Sequence, residues 1–127
     1  MKVLISLSMV FVMFFSFTAF AAGPAKIAVA VDGSGPSAVV SGVAARSSYF
    51  LLFDEDGEFL EAVANPHKDV AGGAGRQAVE LLTARGVAVV IAGTFGPKMV
   101  GAMEARGMRF LEFQGSAVEA VKQAVDR

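Results

Sequence analysis

"RGVAVVIAGTFGPKMVGAMEARGMRFLEF", Arg85 to Phe113, holds a complete strand–helix–strand unit. "VAVVIAG" is a continuous apolar, β-branched run of strand length, the pattern of a strand buried on both faces. "GTFG" then breaks the run, and Pro97 stands where a first helical residue tolerates proline, because that residue has no intrahelical use for its N–H. Met99, Val100 and Met103 fall on one helical face. Gly107 supplies the helix stop, and "MRFLEF" opens a second strand. Two strands joined by a helix lie parallel, so this stretch demands a parallel pair inside an α/β sheet.

The flanking segments extend the sheet. "KIAVAV", Lys26 to Val31, is another buried strand, closed by the loop "DGSGPS". "SYFLLFDEDGEFLEAVAN" has two apolar runs around Asp54-Glu55-Asp56-Gly57, the signal of a hairpin, so one strand runs against the others. Between Ala74 and Arg85, Ala78, Leu81 and Leu82 share a helical face, with Gly86 beyond the helix end. Ser116 and Glu119 have the spacing of a capping box for a last helix, expected to bury Val118, Val121 and Val125. The expected order is β, hairpin, α, β, α, β, α: a mostly parallel sheet covered on both faces.

The N-terminus predicts an address. Lys2, an apolar stretch and the small-residue pattern Thr18-Ala19-Phe20-Ala21 form the three parts of a secretory leader, expected to be removed after Ala21. The rival is an uncleaved anchor, since no charge occurs between Val3 and Ala25. Residues 1–21 are therefore assigned to a signal peptide and 22–127 to a single domain, periplasmic or secreted and free of the membrane after cleavage. With 11 basic and 12 acidic residues and no basic block, nothing marks a nucleic-acid surface. Cysteine is absent, so neither disulfides nor thiolate-held metals are available.

In such a sheet the turns leaving the carboxyl ends of parallel strands gather at one edge. Those turns are Asp32–Gly35, Asn65–Gly75, Gly93–Lys98 and Gln114–Ser116, all glycine-bearing, and three of them open helices. One rim is thus expected to collect Arg46, His67, Lys68 and Lys98 with several helix N-termini, an arrangement suited to anions. The same glycines also serve the plain geometry of such turns. His67 is the only histidine, too few to build a zinc site. It suffices as a metal ligand only where the metal brings its own inner shell, as a preformed cluster does. Asp32 lacks the partner carboxylates that two-metal nuclease chemistry needs. Met99 and Met103 share the apolar face of their helix and are assigned to the core rather than to a copper site. No serine has a base beside it in a nucleophile motif.

The order "KIAVAVDG", "RSSYFLLFD", "NPH" with "GGAG", and "VAVVIAGTFGPK" resembles the nitrogenase iron–molybdenum cofactor accessory family, the single-domain module of NifX type also appended to the cofactor-assembly enzyme NifB. The resemblance covers about Lys26 to Val125. It implies a ribonuclease-H-like α/β/α fold with a five-stranded mixed sheet. It also implies non-covalent binding of an iron–molybdenum or other metal–sulfur cluster, as carrier rather than catalyst, with a cluster donor or acceptor protein as partner. Many members carry a segment of the form S-x-H-F-G-R-A-x-Y-F. Here Ser41 to Phe50 keeps Arg46, Tyr49 and Phe50, and Val43 stands at the histidine position. The expected ligand-binding set is Arg46, His67, Gly72, Gly73, Gly75, Gly93, Thr94, Gly96 and Lys98, with His67 as the metal ligand. The alternative, favoured by Val43, is an exported interaction or sensor module using the same rim without a metal.

Overall fold

The computed structural model describes residues 25–125. The expected signal peptide, residues 1–21, lies outside them. The elements are β1 (Ile27–Val31), a 3-10 turn (Ala44–Arg46), β2 (Tyr49–Phe53), β3 (Phe59–Ala64), α1 (Ala74–Thr83), β4 (Val89–Ala92), α2 (Pro97–Ala105), β5 (Arg109–Glu112) and α3 (Ala117–Val125). The five strands form one sheet in the order β3-β2-β1-β4-β5. β1 pairs parallel with β4, and β4 with β5. β2 pairs antiparallel with both β1 and β3, so it alone runs against the other four. This is the ribonuclease-H-like arrangement. Among the described residues no helix is long and apolar enough to cross a membrane.

Each face of the sheet meets a helical layer, over its central strands. Ala28, Ala30, Phe50, Leu52, Val90 and Ala92 pack under α1 and α2, through Ala78, Val79, Leu82, Met99 and Met103. Ile27, Val29, Val31, Leu51, Phe53, Val89 and Ile91 pack under α3. Met99, Met103 and Met108 are buried core residues, as their helical phase requires. Every residue of β1 is buried, the mark of a central strand covered on both faces.

The last helix departs from expectation. Val121 is buried, but Val118 is 44% exposed and Val125 39%, and Ala117 and Ala120 join Val121 against the sheet in their place. The capping box sets this phase. Ser116 Oγ accepts the Glu119 backbone N–H at 3.2 Å, fixing Ser116 as the N-cap. Ala117, Ala120, Val121 and Ala124 then share the stripe that faces the sheet, and the two outer valines fall on its flanks. Gly86 (φ +81°) and Gly107 (φ +68°) close α1 and α2 in the left-handed conformation.

Candidate functional site

The site begins with the way two helices start. α1 is preceded by Gly73 (φ +78°) and α2 by Gly96, and neither helix has a side-chain cap. The first-turn N–H groups of a helix have no intrahelical acceptor, so both N-termini present free donors at the positive ends of their dipoles. Pro97 at the start of α2 removes one donor from that set.

Both N-termini open onto one groove of about 830 Å³, whose third wall is the 3-10 turn. That volume lies within the usual range of ligand sites. The lining is small and mostly apolar: Val43 and Ala45 from the turn, Ala71 to Gly75 ahead of and within α1, and Gly96, Pro97, Met99 and Ala102 from α2. Its charged side chains are Arg46, Arg76 and Lys98; no carboxylate lines it. Among the described residues the ion pairs are Arg85–Glu61 and Arg106–Glu80, which leaves the three groove cations without an acidic partner. A chain of net charge −1 thus concentrates uncompensated positive charge at one place.

The walls are held by polar contacts between distant segments. Arg46 Nη1 donates to the carbonyls of Lys68 (2.8 Å) and Val70 (2.7 Å), tying the 3-10 turn to the loop that leads into α1. Asn65 is buried, and its amide donates to the carbonyls of Ala45 (3.1 Å) and Ser47 (2.9 Å). Its Oδ1 accepts the His67 N–H at 3.0 Å. On the other side, Gly93 N–H donates to the Ser41 carbonyl at 2.8 Å, and Ala44 N–H to the Thr94 carbonyl at 3.0 Å. Thr94 Oγ1 donates to the Gly42 carbonyl at 2.7 Å.

The structure therefore brings together Arg46, Gly72, Gly73, Gly75, Gly96 and Lys98 on one groove. His67, Gly93 and Thr94 do not line it. Gly93 and Thr94 fasten the 41–44 segment behind the wall, and a Cβ on Gly93 would meet the Ser41 and Gly42 backbone at 3.0 Å. Gly75 lines the groove, yet its lack of a side chain serves helix packing: a Cβ there would lie 2.8 Å from Met99 Cβ. Arg76 and Asn65 were missed in the sequence. Arg76 follows "GGAG" directly, and a cation on the first turn of a helix, against the dipole, is the signal that could have singled it out. Among the described residues no group of three or more His, Asp or Glu side chains could hold a metal ion.

The sequence model of the dinitrogenase iron-molybdenum cofactor family matches residues 25–127. The chain belongs to this family. Solved structures agree. A protein from Thermotoga described as a putative NifB protein is 31% identical, with a TM-score of 0.66 over 80% of this chain and 87% of its own. The apo form of the orange protein from Desulfovibrio gigas is 27% identical, with a TM-score of 0.74 over 84% of this chain and 91% of its own. A putative dinitrogenase from Methanocaldococcus jannaschii, 13% identical with a TM-score of 0.56, covers 83% of this chain and 91% of its own, and shares the fold of this cofactor family. No curated protein sequence matches the chain.

Proposed function

We propose that this member of the iron-molybdenum cofactor family is a non-catalytic carrier or store, exported from the cytoplasm, that holds an anionic metal–sulfur species in the groove. One observation carries the reading: two uncapped helix N-termini and three cations without an acidic partner among the described residues converge on a groove that contains no carboxylate. Free N–H groups and cations recognise the sulfide or oxo exterior of such a species by hydrogen bonding and charge. The groove lining offers no histidine, carboxylate or cysteine to coordinate a bare metal ion. The cargo must therefore arrive with an inner shell lacking at most one ligand, from a donor protein or an assembly step, and leave to an acceptor. His67, beside the groove loop, is the side chain that would complete an open metal position on the cargo.

A second reading is an interaction or sensor module without a metal. Val43, 45% exposed on the groove wall, favours it, because an apolar side chain there adds contact area and no ligand.

An anaerobic titration with tetrathiomolybdate, followed by visible absorbance at several salt concentrations, tests the first reading. Replacing both Arg76 and Lys98 by Ala is expected to weaken binding by roughly tenfold or more and to flatten its salt dependence. His67→Ala, measured beside it, separates ligation from charge attraction: a change of absorbance spectrum on substitution would assign the imidazole to the metal. Equal affinity of the wild type and the double variant at low salt would exclude the groove as the binding site.

A further inference from the structure

A second concavity lies at the opposite end of the sheet and on its other face, between the β2–β3 hairpin turn and α3. Its volume, about 280 Å³, falls below the ~300–1,000 Å³ usual for a small-molecule site. It suits anchoring side chains of a larger partner. Its apolar surface is uncovered: Phe59 is 41% exposed, beside the outer valines of α3. Phe59 stacks edge-on against Phe53 at 5.6 Å, which fixes the cleft wall.

The turn above the cleft is rigid and acidic. Asp54 Oδ1 accepts the backbone N–H groups of Asp56 and Glu58, each at 2.9 Å. Gly57 (φ +87°) presses against α3, where a Cβ would lie 3.2 Å from Val125 and 3.3 Å from Val121. With Asp54 occupied in this way, Glu55, Asp56 and Glu58 are left exposed or at the cleft rim, and none is in an ion pair among the described residues. Lys122 is the one cation lining the cleft.

We propose that this cleft docks a cationic amphipathic helix of a partner protein. The apolar face of that helix would bury Phe59, Val118 and Val125, and its flanking Lys or Arg residues would meet the acidic turn. The rim argues against a second copy of this chain. In an isologous pairing the second copy would bring the same patch, whose one lining cation is Lys122, against three carboxylates, and that excess of negative charge opposes association. The cleft and the groove lie at opposite ends of the sheet, so a docked partner leaves the groove open. This inference stands independently of what the groove binds.

The test uses a synthetic helix of about 14 residues with Leu at i, i+3, i+4 and i+7 and Lys elsewhere, and a second peptide with Glu in place of Lys. NMR shift mapping on the mature chain should confine the perturbations to Phe59, α3 and the hairpin turn, with the Glu peptide binding at least roughly tenfold more weakly. Val118→Ser should weaken the Lys peptide roughly tenfold, while Asp56→Lys with Glu58→Lys should abolish the preference between the two peptides. Both Val118 and the turn carboxylates are exposed, so these variants keep the fold. Perturbations centred on the groove, equal binding of the two peptides, or concentration-dependent self-association through α3 would each overturn the proposal.

Discussion

Gly75, on the first turn of α1, has no room for a methyl group. A Cβ would sit 2.8 Å from Met99 Cβ and 3.1 Å from its backbone, whereas Gly72, three residues earlier, faces open space. Gly75→Ala is therefore expected to destabilise the fold by about 1–3 kcal/mol through overpacking of α1 on α2. Gly72→Ala should stay within about 0.5 kcal/mol. Urea unfolding of the two variants checks the contrast. In "GGAG" the three glycines look alike as letters, and a turn reading assigns them all to backbone freedom or ligand approach. What distinguishes them is the neighbour each one meets, and that neighbour is 24 residues away in sequence for Gly75. For the same reason Asn65 was read only as part of a loop. Its role depends on carbonyls at positions 45 and 47, which no local pattern reveals.

At the scale of elements the sequence was far more legible. The strands, the hairpin, Pro97 at the start of α2 and glycines closing α1 and α2 all follow from local patterns that tertiary packing reinforced. α3 is the instructive exception. Three valines at spacings of three and four suggested the buried face, yet only Val121 lies on it, between alanines. Hydrophobicity ranked the valines first, while the cap fixed a phase that brings small side chains against the sheet. Because the cap sets that phase, Ser116→Ala should cost about 1 kcal/mol, the loss of one first-turn acceptor, in a thermal or urea melt. It should also loosen α3 locally, read as faster amide exchange at Glu119 and Ala120 with β1 unaffected.

At the scale of the whole molecule, the reading of the fold succeeded because β1 and β4 are apolar enough to have one location, the middle of a two-sided core. The rim was legible in outline for a topological reason: parallel strands send their exits to one edge. Which rim residues reach the groove was not, because that depends on how the 41–47 segment folds back across β4. The leader requires its own measurement. If residues 1–21 are removed on export, the intact mass of protein from its native compartment should correspond to a chain starting at Ala22 and recovered with soluble proteins. A mass retaining Met1 in the membrane fraction would mean the domain is tethered instead.

The groove straddles a seam. Its 3-10 wall belongs to the half of the chain that carries β1 to β3, and its helix walls belong to the half that carries α1 to α3. The loop joining the halves exposes Pro66, Lys68, Asp69, Ala71 and Gly72. A molecule seated across the seam acts as a rivet, and at a hundred times its dissociation constant it would add about 2.7 kcal/mol to the folded state. Proteases that sample transient opening would then cut the empty protein first, in that loop, and spare the loaded one. On the proposed carrier reading, the lifetime of the protein would thereby report its cargo supply: scarcity would clear the vacant protein, and abundance would let it accumulate.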